Sequence, residues 1–147
     1  MATLSRTFAF NPRRLAVWLP ALIWMSIIFF LSSRQRIAVS EEYWLNFAFF
    51  KSLHVGEYAF LTLLYAWALW RSFHSLSRKQ IANGAALLAI LYAASDELHQ
   101  TFVPTRQGHL QDVLIDCIGI FSVYCFIVWY ETYSHFLPSC FRSRKTQ

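Results

Sequence analysis

Imidazole and carboxylate side chains recur at helical spacing in two stretches of the sequence. His54 and Glu57 stand three residues apart, as do Asp96 and His99, so each pair shares one face of a helix. A carboxylate that orients an imidazole is suited to general acid–base chemistry. We therefore predict that Glu57, Asp96 and His99 would carry any catalysis, and the alternative is that Asp96 and His99 form a hydrogen-bonded lock between helices.

Further polar side chains border these pairs and are predicted to bind a ligand. The guanidinium of Arg106 suits a phosphate or carboxylate group, and the alternative is that it neutralises nearby acids and holds its turn in place. The acid–histidine pairs also resemble metal ligands in helical bundles, but the charge of Arg106 opposes a cation. We therefore predict no metal and no cofactor. The predicted ligand-binding residues are Arg106, His54, Glu97, Gln100, Asp112 and Asp116.

Long apolar runs must position these residues. Hydrophobic residues make up 56% of the chain and charged residues only 14%, whereas an ordinary soluble domain is about 25% charged. Aromatic residues reach 18%, which is typical of a protein with two membrane–water interfaces. Four runs are each about the length of a bilayer crossing. The sequence thus predicts an all-α integral membrane bundle of four transmembrane helices in a single domain over residues 1–147, with spans at about 15–33, 53–70, 81–102 and 113–130.

The connections between these runs carry their own signals. Residues 43–50 form an aromatic patch that is too short to span a membrane, so we expect either a short interfacial helix or a loop with buried aromatics. Pro104 is expected to stop the third helix. Asp112 is placed near the start of the fourth helix, where a carboxylate complements the helix dipole.

The net charge of +5 indicates topology rather than a nucleic-acid partner. Its basic residues lie mostly at the ends of the apolar runs, where Lys and Arg mark the cytoplasmic side. The N-terminal segment, the second connection and the C-terminal tail hold nine of them, and the other two connections hold four. We predict an inner-membrane protein with both termini in the cytoplasm and no nucleic-acid partner.

Four crossings would bring the unusual polar residues to one side of the membrane. The end of the first helix, the start of the second, the end of the third and the start of the fourth share one face, and here that face is extracytoplasmic. Polar groups in so small a bundle are expected to point into its one interior. The sequence therefore predicts a single polar site at the extracytoplasmic rim.

The polar residues form four motifs: His54-x-x-Glu57-Tyr58, Ser95-Asp96-Glu97-Leu98-His99-Gln100, Pro104-x-Arg106, and Asp112-Val113-Leu114-Ile115-Asp116 with Gly119. With these motifs the chain resembles the VanZ-like family of bacterial membrane proteins over roughly residues 15–130. The resemblance implies a small multi-spanning inner-membrane protein, related to an accessory factor in resistance to glycopeptides such as teicoplanin, with no settled activity. Thr105 stands where the family often has Gly, and Asp116 where it often has Asn.

Three functions remain open from the sequence. The first is a binding or accessory protein that holds an anionic lipid or cell-envelope headgroup, with membrane lipids or a lipid-linked envelope precursor as its partners. The second is an intramembrane hydrolase or transferase that acts on such a headgroup by acid–base chemistry. The third is a structural bundle whose polar cluster only locks the helices. The sequence predicts no particular oligomeric state.

Overall fold

The computed structural model describes residues 15–34, 42–104, 106 and 108–133, and within these ranges it contains four α-helices and no strand. They are α1 (Leu19–Ser32), α2 (Tyr43–Ser72), α3 (Arg78–Gln100) and α4 (Leu110–Tyr133). The predicted all-α class is confirmed. The chain termini lie outside the described residues, and so does Thr105, the position at which VanZ-like proteins often have Gly.

Local sequence explains where α1 and α3 begin and end. Pro20 lies in the first turn of α1, where its missing N–H costs least. Ser77 and Gln80 form a capping box that starts α3. The last turn of α3 is followed by tighter turn bonds, including Phe102 N–H to the carbonyl of His99. The helix therefore ends at Gln100, two residues before the predicted end of the third span.

Both expectations for residues 43–50, a separate interfacial helix and a loop with buried aromatics, are wrong. These residues form the first turns of α2, which continues without interruption for 30 residues. The sequence from 43 to 72 contains no Pro and a single Gly, Gly56, so nothing ends the helix between the aromatic patch and the second predicted span. The patch stays exposed at the start of α2, where Trp44 is 73% accessible.

The four helices pack around a core in which small residues allow close approach. Helices α2, α3 and α4 contact one another, and α1 contacts α2 and α3. Ala85, Ala89 and Ala93 on α3 are fully buried, as expected where helix backbones lie near each other. The indole N–H of Trp24 on α1 donates to the carbonyl of Glu57 on α2 at 3.0 Å, which fixes the height of α1 beside α2.

The outer faces of the bundle are apolar. Two of the described helices are long and apolar enough to cross a membrane: α3, and α4 over Leu110–Tyr130. Helix α1 is apolar but, at 14 residues, too short to be counted as a span. Helix α2 does not meet the combined criterion of length, mean hydropathy and low charge. Length and composition thus support the third and fourth predicted spans. Large hydrophobic side chains are exposed on every helix, among them Leu22, Phe30, Leu63, Leu91, Leu114, Ile118, Phe121 and Phe126.

Candidate functional site

Polar side chains from all four helices meet at one end of the bundle. Hydrogen bonds and ion pairs join the end of α1, the first half of α2, the end of α3 and the start of α4. The contacts fall into two groups. The Asp96 network comprises Ser32, Asp96, Glu97, Gln100 and Arg106. The His54 cluster comprises His54, Glu57 and Asp116, together with the buried hydroxyl of Tyr58, which lies on the same face of α2 as His54.

Asp96 is the centre of the first group. Its carboxylate is 3% accessible, and both of its oxygens accept hydrogen bonds. Ser32 Oγ on α1 donates to Oδ1 at 2.6 Å, and Gln100 Nε2 donates to Oδ2 at 2.9 Å. Gln100 Nε2 also lies 3.2 Å from Glu97 Oε1. Because a buried carboxylate requires such donors, Asp96 joins α1 to α3 at the polar end.

Arg106 reaches from the connection between α3 and α4 to the end of α1. Its Nε donates to the carbonyl of Arg34 at 2.8 Å, and Nη2 donates to the carbonyl of Leu31 at 3.2 Å. Its Nη1 lies 3.3 Å from Gln100 Oε1. Carbonyls at a helix C-terminus lack helical partners and carry partial negative charge. The guanidinium therefore closes the end of α1 and ties it to the Asp96 network.

His99 does not form the predicted pair with Asp96. Its Nε2 lies 3.0 Å from Ser33 Oγ, and its ring lies against that of Phe29 with centroids 4.4 Å apart. Ser33 has one hydroxyl proton, which it donates to the carbonyl of Phe29 at 2.7 Å. Ser33 Oγ is then an acceptor for His99 Nε2–H. This hydrogen bond fixes the orientation of the His99 ring. It does not activate Ser33 as a nucleophile, because the imidazole donates to the hydroxyl instead of accepting its proton.

The His54 cluster contrasts with the Asp96 network because four of its buried polar atoms have no hydrogen-bond partner among the described residues. These atoms are His54 Nδ1, both carboxylate oxygens of Asp116 and the hydroxyl oxygen of Tyr58. His54 Nδ1 lies 3.7 Å from Asp116 Oδ1 and 3.9 Å from Glu57 Oε2, which exceeds hydrogen-bonding distance. Buried polar groups in this state are costly and uncommon.

Gly119 explains why Asp116 lies beside His54. A Cβ atom at Gly119 would overlap the carbonyl oxygen of Val55, so the backbones of α2 and α4 touch at this point. Asp116 precedes Gly119 by nearly one turn, and His54 adjoins Val55 in the chain. The close approach of the two helices therefore places the Asp116 carboxylate against the imidazole, which the sequence did not decide.

The connection between α3 and α4 folds back onto the end of α3. The backbone N–H of His109 donates to Glu97 Oε2 at 3.1 Å. A Cβ at Gly108 would overlap the carbonyl oxygen of Glu97, so only glycine fits there. Asp112, in the first turn of α4, forms an ion pair with Lys51 on α2. The start of α4 is therefore held by both α2 and α3.

The structure thus brings all the predicted site residues to one end of the bundle, although their roles stay predictions. Within the described ranges, no group of three or more His, Cys, Asp or Glu residues has the arrangement of a metal site. The sequence indicated that Ser32, Ser33 and Tyr58 lie near the other polar residues, but it did not include them in the predicted site, and Lys51 was counted only for topology. Two serines closing an apolar run were the available signal for Ser32 and Ser33, and the i, i+4 spacing from His54 was the signal for Tyr58.

These features define a small all-helical protein with apolar outer faces and a polar, partly buried site at one end. The chain belongs to the VanZ/LLP1 family, whose model matches residues 17–131. The match includes every predicted site residue, and the resemblance noted from the motifs is confirmed. No curated protein and no solved structure gives a significant match to the chain.

Proposed function

We propose that this protein is a multi-pass membrane protein of the bacterial cell envelope that binds the headgroup of a lipid or lipid-linked envelope precursor at its polar end. In this proposal all four helices cross the inner membrane, with both termini in the cytoplasm and the polar end at the extracytoplasmic surface. Family membership, the two helices able to span a membrane and the distribution of Lys and Arg support it.

The observation that carries the proposal is the contrast between the sides and one end of the bundle. Leu114, Ile118 and Phe121 on α4 are each more than half accessible, which suits contact with lipid tails and is unfavourable in water. Ionisable side chains are instead gathered at one end and directed inward. A lipid whose tails lie along the apolar faces would present its headgroup to this end.

The accessibilities of the side chains indicate which residues would contact a bound headgroup first. The side chains of His54 and Glu57 are 20% and 17% accessible, whereas that of Asp116 is 2% accessible. The first two would therefore meet a headgroup at the entrance, with Asp116 beneath them. Arg106 brings positive charge to the same end for a phosphate group, while its bonds to α1 hold it in place.

Lipid-resolved mass spectrometry of the purified protein tests this proposal. We compare the wild type with Arg106→Gln and use Arg78→Gln as the matched control, because Arg78 starts α3 at the opposite end and lies over the Tyr130 ring. Bound phospholipid should fall about tenfold in Arg106→Gln, the loss expected for one charge-assisted hydrogen bond to the headgroup phosphate. It should persist in the control, and equal lipid content in all three proteins would refute headgroup binding through Arg106.

A structural role is the second candidate, and the Asp96 network favours it for Asp96 itself. Both oxygens of that carboxylate are satisfied by Ser32 and Gln100, so this group has the partners of an interhelical lock. A purely structural protein would lose thermal stability in Asp96→Asn without binding lipid in any form. Retained lipid in a destabilised Asp96→Asn protein would separate the two roles.

The enzymatic alternative has less support from the geometry. Asp96 and His99 have different partners, and the hydroxyl proton of Ser33 is directed to a carbonyl. Turnover of a labelled polyprenyl or glycerolipid by the purified protein, abolished in His99→Ala, would nevertheless favour it over simple binding.

A further inference from the structure

We propose that the His54 cluster is a binding site for a primary ammonium group, so that the headgroup bound by this protein carries an amine. The inference rests on the headgroup binding proposed above and names the chemical class of the ligand. The ammonium would sit between Glu57 on α2 and Asp116 on α4, with the hydroxyl of Tyr58 as a further acceptor.

The first argument is the set of unused acceptors. Asp116 is 1% accessible and Tyr58 is fully buried. Within the part of the chain that the structure describes, neither oxygen of the carboxylate nor the phenolic oxygen has a hydrogen-bond partner. A primary ammonium carries three N–H donors and no acceptor. One such group would provide a donor for both carboxylates and for the phenol, and would remove the cost of leaving them unsatisfied.

The second argument is charge. Two carboxylates, Glu57 and Asp116, face one imidazole in the cluster. The nearby cationic side chains have other partners, because Lys51 is paired with Asp112 and the guanidinium of Arg106 donates to carbonyls at the end of α1. The cluster therefore carries a surplus of acidic groups, which disfavours a phosphate or carboxylate at this position and favours a cation.

The third argument is access. Solvent accessibility decreases across the cluster, because His54 and Glu57 are partly accessible whereas Asp116 and Tyr58 are buried. A small headgroup can thus approach past the partly accessible side chains of His54 and Glu57 and reach the carboxylate of Asp116 beneath them.

Phosphatidylethanolamine and phosphatidylcholine provide a sharp test because both carry a phosphate and a positive charge, but only the first has N–H donors. The full-length protein is placed in nanodiscs that contain equal amounts of these two lipids and phosphatidylglycerol. The lipids that remain bound are quantified by native mass spectrometry. We expect phosphatidylethanolamine to be enriched about tenfold over phosphatidylcholine, as charge-assisted hydrogen bonds predict.

Two variants and a matched control assign that preference to the cluster. Asp116→Asn and Glu57→Gln should each reduce the enrichment by about tenfold, and the pair keeps the test valid if one of them fails to fold. Glu42→Gln makes the same chemical change at the start of α2, about 22 Å along the helix from Glu57 at 1.5 Å per residue. The control should keep the preference.

Competition with soluble amines distinguishes the source of the ammonium. Displacement of phosphatidylethanolamine by free ethanolamine but not by choline would assign the site to amines in general, and a lack of displacement with lipid preference intact would assign it to the lipid. Equal binding of all three lipids in the wild type would overturn the ammonium site while leaving headgroup binding standing. Absence of any bound lipid would overturn both proposals.

Discussion

Ser32 on α1 donates a hydrogen bond of 2.6 Å to the buried carboxylate of Asp96 on α3. Although α1 packs mainly on α2, this bond joins it to α3, together with the contacts of His99 with Ser33 and Phe29. It also satisfies one oxygen of a carboxylate that water does not reach. The polar end of the bundle therefore depends on Ser32, the last residue of the apolar helix α1.

A double-mutant cycle measures this bond. Ser32→Ala and Asp96→Ala should each lower the midpoint of thermal unfolding in detergent, since each removes the hydrogen bond and leaves its buried partner unsatisfied. Their coupling free energy should be about 1–3 kcal/mol, as for hydrogen bonds to charged groups. Strictly additive effects would mean that the two side chains do not interact in the folded protein.

Gly119→Ala should destabilise the protein by about 1–3 kcal/mol, the usual cost of overpacking. The added methyl group would overlap the carbonyl oxygen of Val55, so α2 and α4 would have to separate. Gly56→Ala is the matched control because its Cβ would meet open space. Thermal unfolding of both variants checks the prediction, which fails if they behave alike.

Arg106→Lys should loosen the end of α1 while keeping the positive charge. Lysine cannot reproduce the forked donors that reach the carbonyls of Leu31 and Arg34. We expect faster amide hydrogen exchange in the last turn of α1, with little change at the opposite end of the bundle. Arg78→Lys serves as the control, and unchanged exchange in Arg106→Lys would contradict the closing role of the guanidinium.

Reversal of the Lys51–Asp112 ion pair tests the contact between α2 and α4. Each side chain is about 15% accessible, so loss of one partner in Lys51→Asp or Asp112→Lys should cost about 1–2 kcal/mol, between the values for exposed and buried pairs. The double variant should recover part of that loss. A double variant less stable than both single variants would argue against a direct pair.

A C-terminal fluorescent fusion tests the proposed topology. The distribution of Lys and Arg predicts a cytoplasmic C-terminus, so under the proposed topology a fusion to a protein that fluoresces only there should be bright. A dark but stable fusion would reverse the orientation and move the polar end to the cytoplasmic side. The contacts within the bundle would be unaffected by that reversal.

Spacing within one helix was sufficient to predict which polar residues share a face. The pairs His54 with Glu57 and Asp96 with Gln100 follow directly from the i, i+3 and i, i+4 geometry of a helix. The structure brings His54 and Glu57 to 3.9 Å and forms a hydrogen bond from Gln100 to Asp96 at these spacings. The absence of Pro between residues 43 and 72 was also visible in the sequence. The continuous α2 was missed because the aromatic patch was treated as a separate segment.

The amino-acid sequence by itself determined the all-α class, the family and the end of the bundle at which the polar residues gather. Apolar runs and helical periodicity specify these features locally. Only the tertiary structure decided the partners: Asp96 turns to Ser32 rather than to His99, and Asp116 lies beside His54. Periodicity fixes the face that a residue occupies but not the neighbour that the face meets. That neighbour depends on how closely and at what rotation two helices pack, as the contact of Gly119 with Val55 illustrates.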